Sequence, residues 1–212
     1  DQTTHQDPAP CFDKYTKVGN GFNEKATLFS GAAMGDYIYL YAKELGLYRL
    51  DLQNYEAELM SGDIGARNAM GVAVMGGFVY LYSITDKLWR YDPYNGPQGK
   101  LVQLNPSNPP SGMLTSMVSH NKKIYGISTN TDTVTIFEYD PYDGAQGSWK
   151  HHTLNITLSG TYGYNDTLAV LNGKIYLKAF SKQAMIIYDI NTDTVEEETG
   201  ADMPSPGTQQ YG

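Results

Sequence analysis

Apolar and polar residues alternate along this chain in short runs bounded by Gly, Pro, Asn and Asp, and no long window carries the 3.6-residue period of an amphipathic helix. Four of the runs match one another: YIYLYAK from Tyr37, FVYLYSI from Phe78, KIYGIST from Lys123 and KIYLKAF from Lys174. Each places an aliphatic residue before a tyrosine in the same register, and those tyrosines, Tyr39, Tyr80, Tyr125 and Tyr176, are separated by 41, 45 and 51 positions. A repeat of about 40 to 50 residues containing several strands predicts a propeller.

A turn and a second strand follow each of these: GLYRLDL from Gly46, KLWRYDP from Lys87, TIFEYDP from Thr135 and MIIYDIN from Met185. All four carry an aspartate at the exit, Asp51, Asp92, Asp140 or Asp189. Its carboxylate can accept a hydrogen bond from the backbone N–H two residues on and so start a tight turn. Ahead of each tyrosine strand lies a short segment with small residues, LFSGAAM, AMGVAVM, MLTSMVS or TLAVLN, suited to crowding near a propeller axis. Behind each aspartate lies a more polar one, YEAELM, KLVQL, KHHTL or TVEEE, suited to the outside. Each unit is then a four-stranded antiparallel blade that cannot bury both faces alone, and stacking blades around an axis solves that problem. The expectation is an all-β, four-bladed propeller over residues 13–200 with blades near 28–60, 69–104, 113–154 and 166–198, a flexible tail at 1–12 and a C-terminal tail at 201–212.

In this setting the residues resemble Kelch propeller repeats, in which a glycine pair and an aliphatic-Tyr strand are followed by Tyr-Asp-Pro and later by a Trp. Gly76-Gly77, Tyr80 and Tyr91-Asp92-Pro93 are similar to that pattern in one unit, and Tyr139-Asp140-Pro141 with Trp149 in the next. The resemblance covers roughly residues 30–200 and implies Kelch-like blades and a role in protein interaction.

One strand is in surplus. FDKYTKVGNGF, from Phe12, precedes LFSGAAM as KLVQLNP precedes MLTSMVS, so residues 15–18 have the spacing of an outer strand. They either close the ring while residues 194–200 form a tail, belong to a larger ring, or complete a neighbouring molecule. The last arrangement would build a polymer, because head-to-tail exchange of an edge strand leaves an open filament. Cys11, the only cysteine, stands just before that strand and either bonds to another chain or stays a free thiol.

Composition narrows the partners. Net charge is −8 with 15 Lys and Arg, and no basic cluster is denser than Lys122-Lys123, so nucleic acid is not expected. No apolar run approaches the roughly 20 residues that span a bilayer. The polar DQTTHQDPAP start and the sequons Asn155-Ile156-Thr157 and Asn165-Asp166-Thr167 favour a secreted chain glycosylated at Asn155 and Asn165.

Candidate chemistry is sparse. His151 and His152 adjoin on one strand and so point to opposite faces, which stops them chelating one ion; His5 in a tail and His120 at a turn add nothing to them. DPYNGPQG and DPYDGAQG, at Asp92 and Asp140, lack the alternating oxygen ligands of a calcium loop and read as turns. NTDTV, at Asn130 and at Asn191, reads as one kind of Asx-rich loop used in two blades. No catalytic, metal or cofactor motif stands out, although carboxylates distant in sequence can meet at a propeller mouth. The 18 tyrosines outnumber 6 Phe and 2 Trp, and Tyr55, Tyr94, Tyr142, Tyr162 and Tyr164 fall in loops, where each either contacts a ligand or packs between blades. The function expected is a non-enzymatic, secreted, structural or self-assembling module whose partner is itself, an extracellular protein or a glycan. A lectin-type glycan binder and an enzyme or enzyme fragment are the alternatives.

Overall fold

The computed structural model describes residues 28–64, 71–83, 87–111, 114, 116–130, 133–154, 156, 167–178 and 185–198. They form an all-β, four-bladed propeller of four-stranded antiparallel sheets. Blade 1 holds β1 (Leu28–Met34), β2 (Tyr37–Ala42), β3 (Gly46–Asp51) and β4 (Ala57–Ser61). Blade 2 holds β5 (Gly71–Met75), β6 (Phe78–Ser83), β7 (Lys87–Asp92) and β8 (Lys100–Leu104). Blade 3 holds β9 (Ser116–His120), β10 (Lys123–Asn130), β11 (Thr133–Asp140) and β12 (Ser148–Leu154). Blade 4 holds β13 (Thr167–Leu171), β14 (Lys174–Lys178), β15 (Met185–Asp189) and β16 (Thr194–Glu198).

Within every sheet the strands are paired in chain order, so the first-to-second and third-to-fourth turns share one end of each blade. The first strands are innermost: β1 lies against β5, β5 against β9 and β9 against β13. Small residues make that approach possible, since Ala32 and Ala73 stand beside Tyr39 and Tyr80 on the neighbouring strand of their own blades. Each exit aspartate does the work its position predicts. The Gln53, Tyr94, Tyr142 and Asn191 N–H groups donate to Asp51, Asp92, Asp140 and Asp189 Oδ1 at 2.7, 3.0, 2.9 and 2.9 Å.

Alternation along the strands gives every blade a back face toward the preceding blade and a front face toward the next. Tyr39, Tyr41 and Leu47 on the front of blade 1 pack with Val79, Leu81 and Tyr91 on the back of blade 2. Tyr80, Tyr82 and Leu88 meet Ile124, Phe137 and Tyr139, and Tyr125, Ile127 and Ile136 meet Ile175, Leu177 and Tyr188. Burial of such side chains stabilises the fold by about 1.5–3 kcal/mol each, so the blade junctions, not the single sheets, hold the propeller together. Among the described residues no comparable core joins blade 4 back to blade 1.

Two expectations are corrected. Residues 194–198 are no tail: β16 pairs with β15 along its whole length, from Asp189 opposite Thr194 to Met185 opposite Glu198, and occupies the outer place of blade 4. The two NTDTV segments are not the same loop. In blade 3 the segment joins the second strand to the third, and in blade 4 the third to the fourth, so they stand at opposite ends of their blades. Five identical residues fit both because Asn and Asp tolerate turn backbones of several kinds. Cys11, residues 15–18, Asn155, Tyr162, Asn165, Tyr164 and both tails lie outside the described residues.

Candidate functional site

The rim formed by the third-to-fourth strand turns concentrates side chains that are built to be presented. In blades 2 and 3 these turns are copies of one device. Asp92 and Asp140 hold the first bend, while the Tyr91 and Tyr139 hydroxyls, from inside the blade junction, donate to the Gln98 and Gln146 carbonyls at 2.8 and 2.9 Å. Gly99 and Gly147 close the turns at φ +68° and +82°, where a Cβ would lie 2.3 and 2.5 Å from those same hydroxyls. Only glycine satisfies both the backbone conformation and the close approach. Each loop is thus clamped at its start by a carboxylate and at its end by a buried tyrosine.

The clamps leave the next aromatic pointing outward. Tyr94 and Tyr142 are 80% and 75% exposed, and Tyr55, at the matching turn of blade 1, is 37% exposed with φ +60°. None of these three packs between blades. Burial raises the Tyr39 and Tyr80 pKa values against Arg49 and Arg90, with smaller upward contributions from Tyr94 and Tyr142. Beneath them Arg49 stacks 4.7 Å from the Tyr37 ring centre and Arg90 the same distance from Phe78. Beside Tyr142, Asp143 borders a depression of about 630 Å³ that also takes in Asn108, Ser148, Lys150 and His151. The segment after β8 forms its outer wall, because Ser107 pairs in parallel with Ser148 and covers the edge of β12.

Between blades 3 and 4 the same rim carries a charged cluster. Lys123 donates to Glu138 Oε1 at 2.5 Å and lies 3.5 Å from Asp140. Buried His152 places Nε2 3.3 Å from Glu138 Oε2 but off the hydrogen-bonding direction, so that contact is charge attraction. Its Nδ1 meets Asp193 Oδ1 at 2.9 Å, and the Tyr188 hydroxyl donates to the same carboxylate at 2.7 Å. Glu138 raises the His152 pKa most, against burial, with Asp193 adding to the rise. Contact with His152, then Lys123, holds Glu138 down at about 2 against burial. His152 is thus biased toward its cationic form, held between Glu138 of its own blade and Asp193 of blade 4.

His151 and His152 do point to opposite faces: His151 is exposed with its ring 4.7 Å from Phe137, and His152 faces blade 4. Sequence reading dismissed His152 and overlooked Lys123 and Glu138. Their signal was present, since aligning the repeats column by column sets Lys123 and Glu138 where blades 1 and 2 carry an aromatic and an arginine.

No known family's profile matches this chain, and no curated protein sequence does either. Similarity appears among solved structures. The extracellular domain described for a hybrid two-component system of B. thetaiotaomicron shares the fold at a TM-score of 0.61 and 14% identity, over 88% of this chain and 24% of that one. PorZ, a surface component of the type-IX secretion system of Porphyromonas gingivalis, matches at 0.56 and 14%, over 83% of this chain and 21% of its own. The computationally designed Ika4 protein matches at 0.51 and 10%, over 88% of this chain and 99% of its own. This chain therefore spans about a quarter of the length of the two bacterial structures it resembles. The likeness establishes a propeller fold, while the Kelch type rests on the motif resemblance alone.

Proposed function

We propose that this chain serves outside the cell as a non-enzymatic interaction module, a structural unit that assembles with copies of itself or with another extracellular protein. One observation carries the reading: four blades make three junction cores, and the back of blade 1 and the front of blade 4 lack the blade partner that every other face has among the described residues. The extracellular or surface setting described for the two bacterial structures supports the location at the level of fold only. The test is the solution mass of the full chain over a range of concentrations, with and without reductant. Species larger than the chain support the reading, and their loss on reduction brings Cys11 into the contact. A chain that stays at its own mass and captures no extracellular protein refutes it.

A second reading, glycan binding, is favoured by Tyr94 and Tyr142, two exposed rings on clamped turns, the second of which adjoins Asp143 at the edge of a polar depression. Rigid aromatic platforms next to Asn, Asp and Ser groups suit the apolar faces and hydroxyls of a sugar. A broad oligosaccharide array tests it: binding that Tyr142→Ala abolishes supports the reading, and silence across the array removes it.

A further inference from the structure

We infer that the depression on blade 3 is the binding site for one neutral sugar residue of a glycan, whose adjacent hydroxyls donate to Asp143 and accept from Lys150 and the Asn108 side-chain amide. This rests on the glycan reading above and names its site and ligand class. The space, about 630 Å³, lies within the range of small-molecule sites, roughly 300–1,000 Å³. Asn108, Asp143, Lys150 and His151 on its walls are all exposed, so these polar side chains meet solvent and not a neighbouring blade.

Both walls are fixed before any ligand arrives. On the turn side, Asp143 follows the bend that Asp140 holds, and Ser148 Oγ donates to Asp143 Oδ2, leaving Oδ1 to accept from a ligand. On the other side, residues 105–108 are tied down at four points. The Asn105 N–H donates to Gln146 Oε1 at 2.5 Å, the Ser107 N–H to the Gly147 carbonyl at 3.2 Å, the Trp149 N–H to the Ser107 carbonyl at 3.0 Å and His151 Nε2–H to the Asn108 carbonyl at 2.9 Å. Just beyond them the Tyr82 hydroxyl donates to the Pro110 carbonyl at 2.9 Å, and Pro106, Pro109 and Pro110 restrict the chain further. A site held in this way has little left to order when a ligand binds.

The lining selects the ligand. An anion would meet Asp143 and a cation would meet Lys150, whereas every sugar hydroxyl both donates and accepts, so a neighbouring pair satisfies both charges. Blade 2 supplies the contrast, because Asn95, Lys100, Val102 and Gln103 stand where blade 3 has Asp143, Ser148, Lys150 and His151. Its turn has the same backbone, with Gly96 and Gly144 at φ +84° and +83°, but lacks the Asp143 carboxylate and the Lys150 ammonium. The two turns share a scaffold, and only the second carries the groups that a sugar needs.

An array of neutral glucose, galactose and mannose oligosaccharides printed beside sialylated and sulfated ones, followed by titration of the full chain and its variants with the brightest member, tests this. The expected result is binding to a neutral oligosaccharide that Asp143→Asn weakens about ten- to a hundredfold, that Asn108→Gly weakens about three- to tenfold, and that Asn95→Ala leaves unchanged. Asparagine is the residue blade 2 carries at the place of Asp143, and glycine accepts the φ of +50° at Asn108, so both variants keep the backbone. Circular dichroism and a thermal melt check folding, with Lys150→Gln as the replacement for a variant that does not fold. Affinity unchanged by both substitutions overturns the site and leaves glycan binding through another surface standing. Binding confined to sialylated or sulfated members overturns the neutral ligand class. Loss in Asn95→Ala but not in Asp143→Asn moves the site to blade 2 and also overturns the inference. Silence across the array removes the glycan reading and the inference with it.

Discussion

The junction between blades 2 and 3 and the junction between blades 3 and 4 are built on the same backbone, yet one is aromatic and the other is charged. At the rim end of the first, Arg90 stacks on Phe78, and Tyr139 packs against Tyr80 and Trp149 at 5.9 and 5.1 Å. In the second, the columns of Phe78 and Arg90 hold Lys123 and Glu138, whose ion pair extends through His152 to Asp193 and Tyr188. Depth and strand pairing are shared, so the propeller requires only that the space between blades be filled. What differs is responsiveness: stacked rings ignore pH, whereas a histidine between two carboxylates does not.

The largest way to break the comparison is on the aromatic side. Trp149→Ala should lower stability by about 3–5 kcal/mol by opening a cavity between Tyr82 and Tyr139, with the same loss at pH 5.5 and pH 7.5 in urea unfolding. Gly147→Ala should follow at about 2–3 kcal/mol, because it strains a left-handed backbone and drives a Cβ into Tyr139. A thermal melt unchanged by that substitution would mean that the tyrosine clamp is slack.

On the charged side, Glu138→Gln should cost roughly 1–3 kcal/mol at pH 6 by leaving two cations without their carboxylate. It should also move the His152 titration, followed by NMR, toward lower pH. The pH dependence of the natural chain then sharpens the contrast. The His152 pKa is raised on folding, so its contribution is complete below the unfolded value of about 6.5 and fades as pH rises through the folded one. The Glu138 pKa is lowered from 4.5 to about 2, so its contribution is complete above the former and fades as pH falls toward the latter. Blade 4 should be held best between those two unfolded values. Amide exchange of β15 should accelerate above that window while exchange of β7 stays flat, after correction for intrinsic rates; equal change in both strands would count against the assignment. The smallest effect belongs to Tyr94→Ala and Tyr142→Ala, each expected within about 0.5 kcal/mol of the natural chain, since exposed rings support no junction.

Much of the fold was legible because each blade repeats the same short-range instructions. The tyrosine columns, the aspartates at strand exits and the small residues of the inner strands all act on neighbours within one sheet, where a period of two residues and a turn rule suffice. The doubled NTDTV misled for the same reason: identical local chemistry serves a second-to-third connection in one blade and a third-to-fourth turn in another. Of the candidate site, Tyr55, Tyr94 and Tyr142 were named from loop position alone. Whether Tyr94 and Tyr142 packed or projected depended on the Tyr91 and Tyr139 clamps, hydrogen bonds from each buried tyrosine to the turn that follows its strand.

The sequence by itself determined the strands, their order in each blade, the blade count and the aspartate turns, since all of these follow from patterns local to one repeat. Tertiary structure alone decided which faces of the blades meet, that His152 is shared between Glu138 and Asp193, and that blade 1 retains an apolar back without a blade partner among the described residues. Those outcomes arise from contacts between residues tens of positions apart, where packing geometry and burial set the energies and no local pattern announces the partner.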